Sequence, residues 1–253
     1  MSSSLLSLHN VSKRFNQKNV LDQISLNIQA GEIVALVGPS GSGKSTLMNA
    51  IMRSVELSSG AIFIEQKNIQ DYRNNKAYAQ KVGMLHQQYD LVKQLEVVHN
   101  VLAGRLNDWG LWQSLLSLIK PQQRHIAEQA LSAVGLAEKM NQPSAELSGG
   151  EQQRVAIARL LVQNPMLILA DEPISALDPV NAQNVLALLT KLVREQHKTL
   201  IASMHSVEYA KAYFDRMIGI KDGKIVFDLQ TSQVTQQKLN ALYGLVQDES
   251  LTE

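Results

Sequence analysis

The sequence contains no cysteine, which excludes disulfides, iron–sulfur clusters and thiolate zinc sites and fits a reducing cytoplasm. An excess of either charge is also missing. Lys and Arg number 24 against 23 Asp and Glu, a formal net charge of +1, so no electrostatic footprint points to nucleic acid or an anionic membrane as the main partner. No apolar run approaches the ~20 residues that span a bilayer. The opening Met1-Ser2-Ser3-Ser4-Leu5-Leu6 lacks the charged and long apolar regions of a secretory leader. If the protein works at a membrane, other chains are expected to do the spanning. What is present is 253 residues, 45% of them hydrophobic, enough for one large α/β domain with a full core and room for a subdomain.

One stretch organises the chain. Gly38-Pro39-Ser40-Gly41-Ser42-Gly43-Lys44-Ser45 follows the apolar run Ile33-Val34-Ala35-Leu36-Val37 and precedes the helix-like Thr46-Leu47-Met48-Asn49-Ala50-Ile51. Strand, glycine-rich loop and helix in that order are the context of a phosphate-binding P-loop. The glycines let successive N–H groups turn toward a polyphosphate, and the helix start adds its positive dipole end. Lys44 is expected to reach the β- and γ-phosphates and the Ser45 hydroxyl to ligate Mg²⁺. The chain is expected to bind a nucleoside triphosphate.

Around that loop, Leu6-Ser7-Leu8-His9-Asn10-Val11 and Ile24-Ser25-Leu26-Asn27-Ile28 alternate as half-buried strands do. They suggest a small antiparallel β-subdomain. Phe15 lies between them, where an aromatic could stack on adenine or simply join the core or surface. Gln87 ends the strand-like Lys81-Val82-Gly83-Met84-Leu85-His86. Its amide oxygen could serve Mg²⁺ or an attacking water, or it could be plain loop. Residues 96 to 142 read mostly as helices without strand alternation, as an inserted helical subdomain would. Within them, Leu111-Trp112-Gln113-Ser114-Leu115-Leu116-Ser117-Leu118-Ile119 carries an apolar stripe that is either core or a docking face for a partner helix.

Three further stretches carry chemistry. Leu147-Ser148-Gly149-Gly150-Glu151-Gln152-Gln153 opens a long helix that stops at Asn164-Pro165, and its hydroxyl, backbone N–H groups and dipole make a second anion site. Met166-Leu167-Ile168-Leu169-Ala170 reads as a buried strand delivering Asp171-Glu172 at its carboxyl end, where open α/β sheets bind ligands. Asp171 there suits Mg²⁺ and Glu172 suits a general base for water. A last buried strand ends at Met204-His205, and that histidine could touch a γ-phosphate. Asp222-Gly223 marks a hairpin. The tail from Gln230 to Glu253 reads as helical, polar and too short for another domain.

The P-loop, Leu147 to Gln153, Asp171-Glu172, Ser175 to Asp178 and His205, in this order and spacing, resemble the ATP-binding subunit of an ABC transporter. The resemblance runs from about Leu6 to about Gly244. It implies a P-loop NTPase core with an antiparallel β-subdomain, over about 1–95 and 160–245, and an inserted α-helical subdomain over 96–159 that carries the signature stretch. It also implies ATP and Mg²⁺ as cofactors. Phe15, Gly38, Pro39, Ser40, Gly41, Ser42, Gly43, Lys44, Ser45 and Thr46 become nucleotide-contacting residues, with Ser148, Gly149, Gly150 and Asp178. Ser45, Gln87 and Asp171 become metal ligands; Glu172, His205, Gln87 and Lys44 become the catalytic set. The family further implies a head-to-tail homodimer in which ATP on one P-loop is capped by Ser148 and Gly150 of the other subunit. Transmembrane permease subunits, an external solute-binding protein and a place on the cytoplasmic face of the cell membrane follow from it, with no nucleic-acid partner.

Two departures stand out: Phe15 where tyrosine is commoner, and His86 where an aromatic usually precedes the glutamine. The segments Asn100 to Leu106, Trp112 to Leu116, Leu169 to Pro179 and Ile225 to Asp228 resemble the phosphonate importer ATPases in particular. An ATPase for another imported solute or for lipoprotein release would share the whole nucleotide site, and a non-transport ABC ATPase would usually carry two cassettes or a long coiled-coil insertion.

Overall fold

The period-two alternation near the start of the chain forms two long strands in a computed structural model, which describes residues 4–87, 90–106 and 123–244. The strands are β1 (Leu6–Phe15), β2 (Lys18–Ile28), β3 (Ile33–Val37), β4 (Ser59–Ile64), β5 (Lys67–Asn68), β6 (Val82–Leu85), β7 (Leu167–Asp171), β8 (Thr199–Met204), β9 (Arg216–Lys221) and β10 (Lys224–Gln230). The described α-helices are α1 (Lys44–Ile51), α2 (Asn75–Ala79), α3 (Val97–Leu102), α4 (Arg124–Ala133), α5 (Gly149–Gln163), α6 (Pro179–Glu195), α7 (Val207–Tyr213) and α8 (Gln236–Tyr243). They divide between two units, Met1–Ile69 with Ile201–Glu253, and Gln70–Leu200.

In the first unit, β2-β1-β4-β5 form an antiparallel sheet. The sequence suggested its first two strands as a pair. Strand β4 joins from beyond the P-loop helix, pairing Leu6 with Ile64 and Leu8 with Ile62. Such a non-local pairing leaves no trace in local periodicity. Buried Leu6, Leu8, Val11, Ile24, Ile28, Ile62 and Ile64 cover one face, and each such side chain contributes roughly 1.5–3 kcal/mol on burial. A second group of strands runs β10-β9-β3-β8. All five residues of β3 are buried, as in a parallel strand covered on both faces, and β3 pairs in parallel with β9, Val34 opposite Arg216. The β9–β10 hairpin turns at Asp222 (φ 50°) and Gly223 (φ 77°), the two positive φ values of a type I′ turn.

One cation ties this unit together. Arg216 donates to both carboxylate oxygens of Asp228 at 2.7 and 2.6 Å, to Glu32 at 2.7 Å and to the Asn27 carbonyl at 3.0 Å. The bidentate fork to Asp228 pushes the guanidinium pKa up further, against the pull of burial.

In the second unit, β6 and β7 pair in parallel, Val82 with Leu167 and Leu85 with Ala170. Helices α3 and α4 pack on α5, whose Val155, Ala156, Ile157, Ala158 and Leu160 are buried. Buried Asn100 accepts from the Val92 N–H at 2.8 Å and donates to the Val92 carbonyl and to Ser144 Oγ, at 3.0 and 2.9 Å. That satisfies its amide inside an apolar bundle. Helix α6 begins with Asp178 as its N-cap and Pro179 in its first turn, a sequence signal for a helix start. It buries Ala182, Val185, Leu186, Leu189, Leu192 and Val193 on one face. The stripe at Leu111 to Ile119 lies outside the described residues. Among the described residues no helix is long and apolar enough to cross a membrane.

Candidate active site

The P-loop lies in the first unit, between β3 and α1. Its entry needs glycine: Gly38 has φ 151°, and a Cβ built there would stand 2.0 Å from the Ile220 carbonyl oxygen. The loop is braced by Ser42 N–H to the Pro39 carbonyl at 3.2 Å and by Gly223 N–H to the Ser42 carbonyl at 3.0 Å. Strand β2 also closes on it, since a Cβ on Gly43 would lie 2.7 Å from the Val20 carbonyl oxygen. Lys44, 5% exposed, donates to the carbonyls of Gly38 at 2.8 Å and Pro39 at 3.1 Å.

Two observations show that this loop fits a polyphosphate. Buried Ser42 Oγ has no hydrogen-bond partner within the protein, and helix α1, with Gly43 as its N-cap, has no side-chain cap. The first turn of such a helix presents N–H groups and a positive dipole end. Ser45 is exposed and Thr46 half-buried. Ser45 is thus accessible to a metal bound with the phosphates.

Phe15, His205 and Tyr243 belong to the same unit. Phe15 ends β1 opposite Lys18, is 45% exposed and has the Lys13 ammonium 4.8 Å from its ring centroid. His205 follows β8 directly and is exposed, and the next residue, Ser206, caps α7 by accepting from the Tyr209 N–H at 3.2 Å. From the far end of the chain, α8 brings Tyr243 to the P-loop. Burial pushes its phenol pKa up, countered by the Gly38 backbone.

The second unit holds the acidic and signature residues. Asp171 is the last residue of β7, and Glu172 follows in the left-handed region with φ 48°. Its carbonyl accepts from the Ser175 N–H at 3.2 Å and hydroxyl at 3.1 Å. A non-glycine residue held there carries about 1–2 kcal/mol of strain. Gln87 is exposed two residues beyond β6, so the parallel register brings it out at the same strand ends as Asp171. His86 approaches Asp90 at 3.7 Å, and Arg159 of α5 donates to the Asp90 carbonyl at 2.8 Å.

Ser148 is the N-cap of α5 in a complete capping box. Its N–H donates to Glu151 Oε2 at 2.9 Å, and the Glu151 N–H reaches Ser148 Oγ at 3.4 Å. Lys139 bonds the other oxygen of the same carboxylate. That bond leads the causes that hold the Glu151 carboxyl below its usual range. Gly149 begins the helix, and Gly150 is buried against Asn181, whose Oδ1 would be 3.2 Å from a Cβ on that glycine. Asn181 in turn donates to Asp178 Oδ2 at 2.6 Å, and Asp178 Oδ1 accepts from the N–H groups of Val180 and Asn181, each at 3.1 Å. Asn181 is the first cause of the lowered Asp178 pKa. One unit therefore links the signature turn to Asp178 through a single amide.

Sequence reasoning passed over Lys139, Asn181 and Tyr243. The Ser-x-x-Glu spacing of a capping box was there to find at Ser148 and Glu151. Asn181, three residues after the N-cap Asp178, carried a weaker signal of the same kind. Nothing local marks Lys139 or Tyr243, which reach Glu151 and the neighbourhood of Gly38 only through the fold.

Residues 21–175 match the family model described as ABC transporter. The chain belongs to this family. It is 43% identical over 245 residues to the phosphonates import ATP-binding protein PhnC of Pseudomonas putida, covering 96% of this chain and 91% of that protein. The fold matches the ADP conformation of an ATP-binding cassette of an ABC transporter with a TM-score of 0.81 and 26% identity, over 95% of each chain. It also matches the dimeric post-hydrolysis structure of the cassette MJ0796 bound to ADP and Pi, with a TM-score of 0.73 and 33% identity over 89% of this chain and 98% of that one.

Proposed function

We propose that this chain is the ATP-hydrolysing subunit of an importer for phosphonates. The observation that carries the reading is the likeness to the Pseudomonas putida phosphonates import protein over nearly the whole of both chains. In this reading two copies form a homodimer on permease subunits at the cytoplasmic face of the membrane, served by an external solute-binding protein.

Phosphoryl transfer to water needs positioning and charge stabilisation more than covalent chemistry. In the first unit, Gly38, Pro39, Ser40, Gly41, Ser42, Gly43, Lys44, Ser45 and Thr46 hold the triphosphate. Lys44 exchanges the two loop carbonyls it now binds for phosphate oxygens. Phe15 offers its exposed face to adenine, and His205 steadies the γ-phosphate. In the second unit, Glu172 orients water and takes its proton. Ser148, Gly149, Gly150 and Asp178 serve the nucleotide held by the other copy. Ser45 in the first unit, and Gln87 and Asp171 in the second, are the residues that would ligate Mg²⁺, which would supply charge neutralisation to the triphosphate.

The Phe15 role has a direct check. Phe15→Ala is expected to weaken ATP binding roughly five- to thirtyfold, the worth of about 1–2 kcal/mol in one lost base stack, while Phe15→Tyr binds as the parent does. Equal affinity of all three in equilibrium nucleotide titration would remove Phe15 from the adenine site.

The function as a whole is tested by growth. Source cells whose only copy of the subunit carries Glu172→Gln are supplied with methylphosphonate or aminoethylphosphonate as sole phosphorus source, and with phosphate as control. The expected result is loss of growth on the phosphonates alone. Normal growth on both would sink the phosphonate assignment, and loss of growth on both would show that the cargo is not confined to phosphonates.

A further inference from the structure

We propose that Lys139 is a positioning residue for ATP capture by a second copy of this chain: it neutralises Glu151, so that the Ser148 turn can receive a terminal phosphate. The inference rests on the dimer reading above.

The signature helix poses an electrostatic conflict. Its N-terminus is fixed by the capping box, in which the Glu151 carboxylate accepts the Ser148 N–H at 2.9 Å. A carboxylate in the first turn suits the helix dipole. The same negative charge opposes a phosphate approaching that turn.

Lys139 resolves the conflict from outside the helix. It belongs to the short turn Ala137–Lys139 and bonds the carboxylate oxygen that the cap leaves over. The side chains of Lys139 and Glu151 are 28% and 17% exposed, so solvent and salt screen the pair only in part. Glu151 is kept ionised below the ordinary glutamate range, first of all by Lys139. The cap therefore carries a full negative charge at neutral pH, matched by one cation. A glutamine at 151 could still accept the Ser148 N–H, so the bare cap needs no charge. The charge is what Lys139 offsets.

The test is a charge cycle in the full-length chain slowed by Glu172→Gln. ATP-dependent dimerisation is followed by light scattering, and binding of a fluorescent ATP analogue to the monomer is measured in parallel. Lys139→Met is expected to raise the ATP concentration for half-dimerisation roughly tenfold, within the range for a charge at a helix end, and to leave monomer nucleotide affinity unchanged. Adding Glu151→Gln to Lys139→Met is expected to restore dimerisation. A purely structural role for the ion pair would lower the melting temperature of nucleotide-free Lys139→Met together with its dimerisation, whereas an unchanged melting temperature ties the loss to the approaching phosphate. Parent-like dimerisation of Lys139→Met, or a double variant as weak as Lys139→Met, overturns the proposal. Failure of the Glu172→Gln parent to dimerise with ATP overturns the dimer reading itself, and the Lys139 role with it.

Discussion

Replacing Glu172 by glutamine slows ATP turnover by ~10²–10⁴, the range for loss of a general base, and leaves ATP affinity close to that of the parent. The amide keeps the size of the side chain and the left-handed backbone at φ 48°, but it cannot take a proton from water. An equal fall in kcat and kcat/KM, with an unchanged dissociation constant, is the signature of an interaction made only in the transition state. Phosphate release under saturating ATP and equilibrium nucleotide binding check the two halves separately. A variant that hydrolyses at the parent rate would take Glu172 out of this role. Glu172→Gly separates carboxylate from backbone: it relieves about 1 kcal/mol of strain, so the protein should melt later while turnover is lost all the same. A residue retained for stability alone would not show that opposition.

Gly38→Ala is expected to abolish nucleotide binding and to cost about 2–4 kcal/mol of stability through backbone strain and overpacking. The added methyl would stand 2.0 Å from the Ile220 carbonyl oxygen of β9. Neither atom can yield by rotating a side chain, so the loop must leave the sheet edge. Lys44→Ala gives the contrast. It removes two hydrogen bonds to loop carbonyls without a clash, so binding fails while most of the stability remains. Thermal denaturation beside nucleotide titration distinguishes the two. Full ATP binding by Gly38→Ala with an unchanged melting temperature would show that the close approach to Ile220 has no functional weight.

What could be read from the sequence was local. The P-loop is eight consecutive residues between a buried strand and a helix, and the Asp222-Gly223 turn is a dipeptide; both need only their neighbours to take shape. The capped starts of α5 and α6 are short-range for the same reason. The pairing of β1 with β4 was not legible, because its two strands are separated by the nucleotide loop and its helix. The contact of Gly38 with Ile220 and the bond from Lys139 to Glu151 depend on packing that no period of two or 3.6 records. The left-handed conformation of Glu172 runs against local preference, and a reading built on preference could not find it. The candidate residues were thus legible as types in an order, while what holds several of them was not.

The Arg216 network has a consequence for synthesis. This guanidinium joins Asn27 and Glu32 to Asp228, and the first unit combines Met1–Ile69 with Ile201–Glu253. On the ribosome, β3 must wait for β9 to emerge before the edge facing that strand can be covered. At elongation rates of about 5–20 residues per second, the wait is on the order of ten seconds or more. The whole Gln70–Leu200 segment is delivered meanwhile, so the five-residue apolar strand beside the nucleotide loop lacks its β9 partner for most of translation. The nascent chain is then most exposed to aggregation just before its last strands appear, and a stop codon ahead of Arg216 would leave a product that cannot close its first unit.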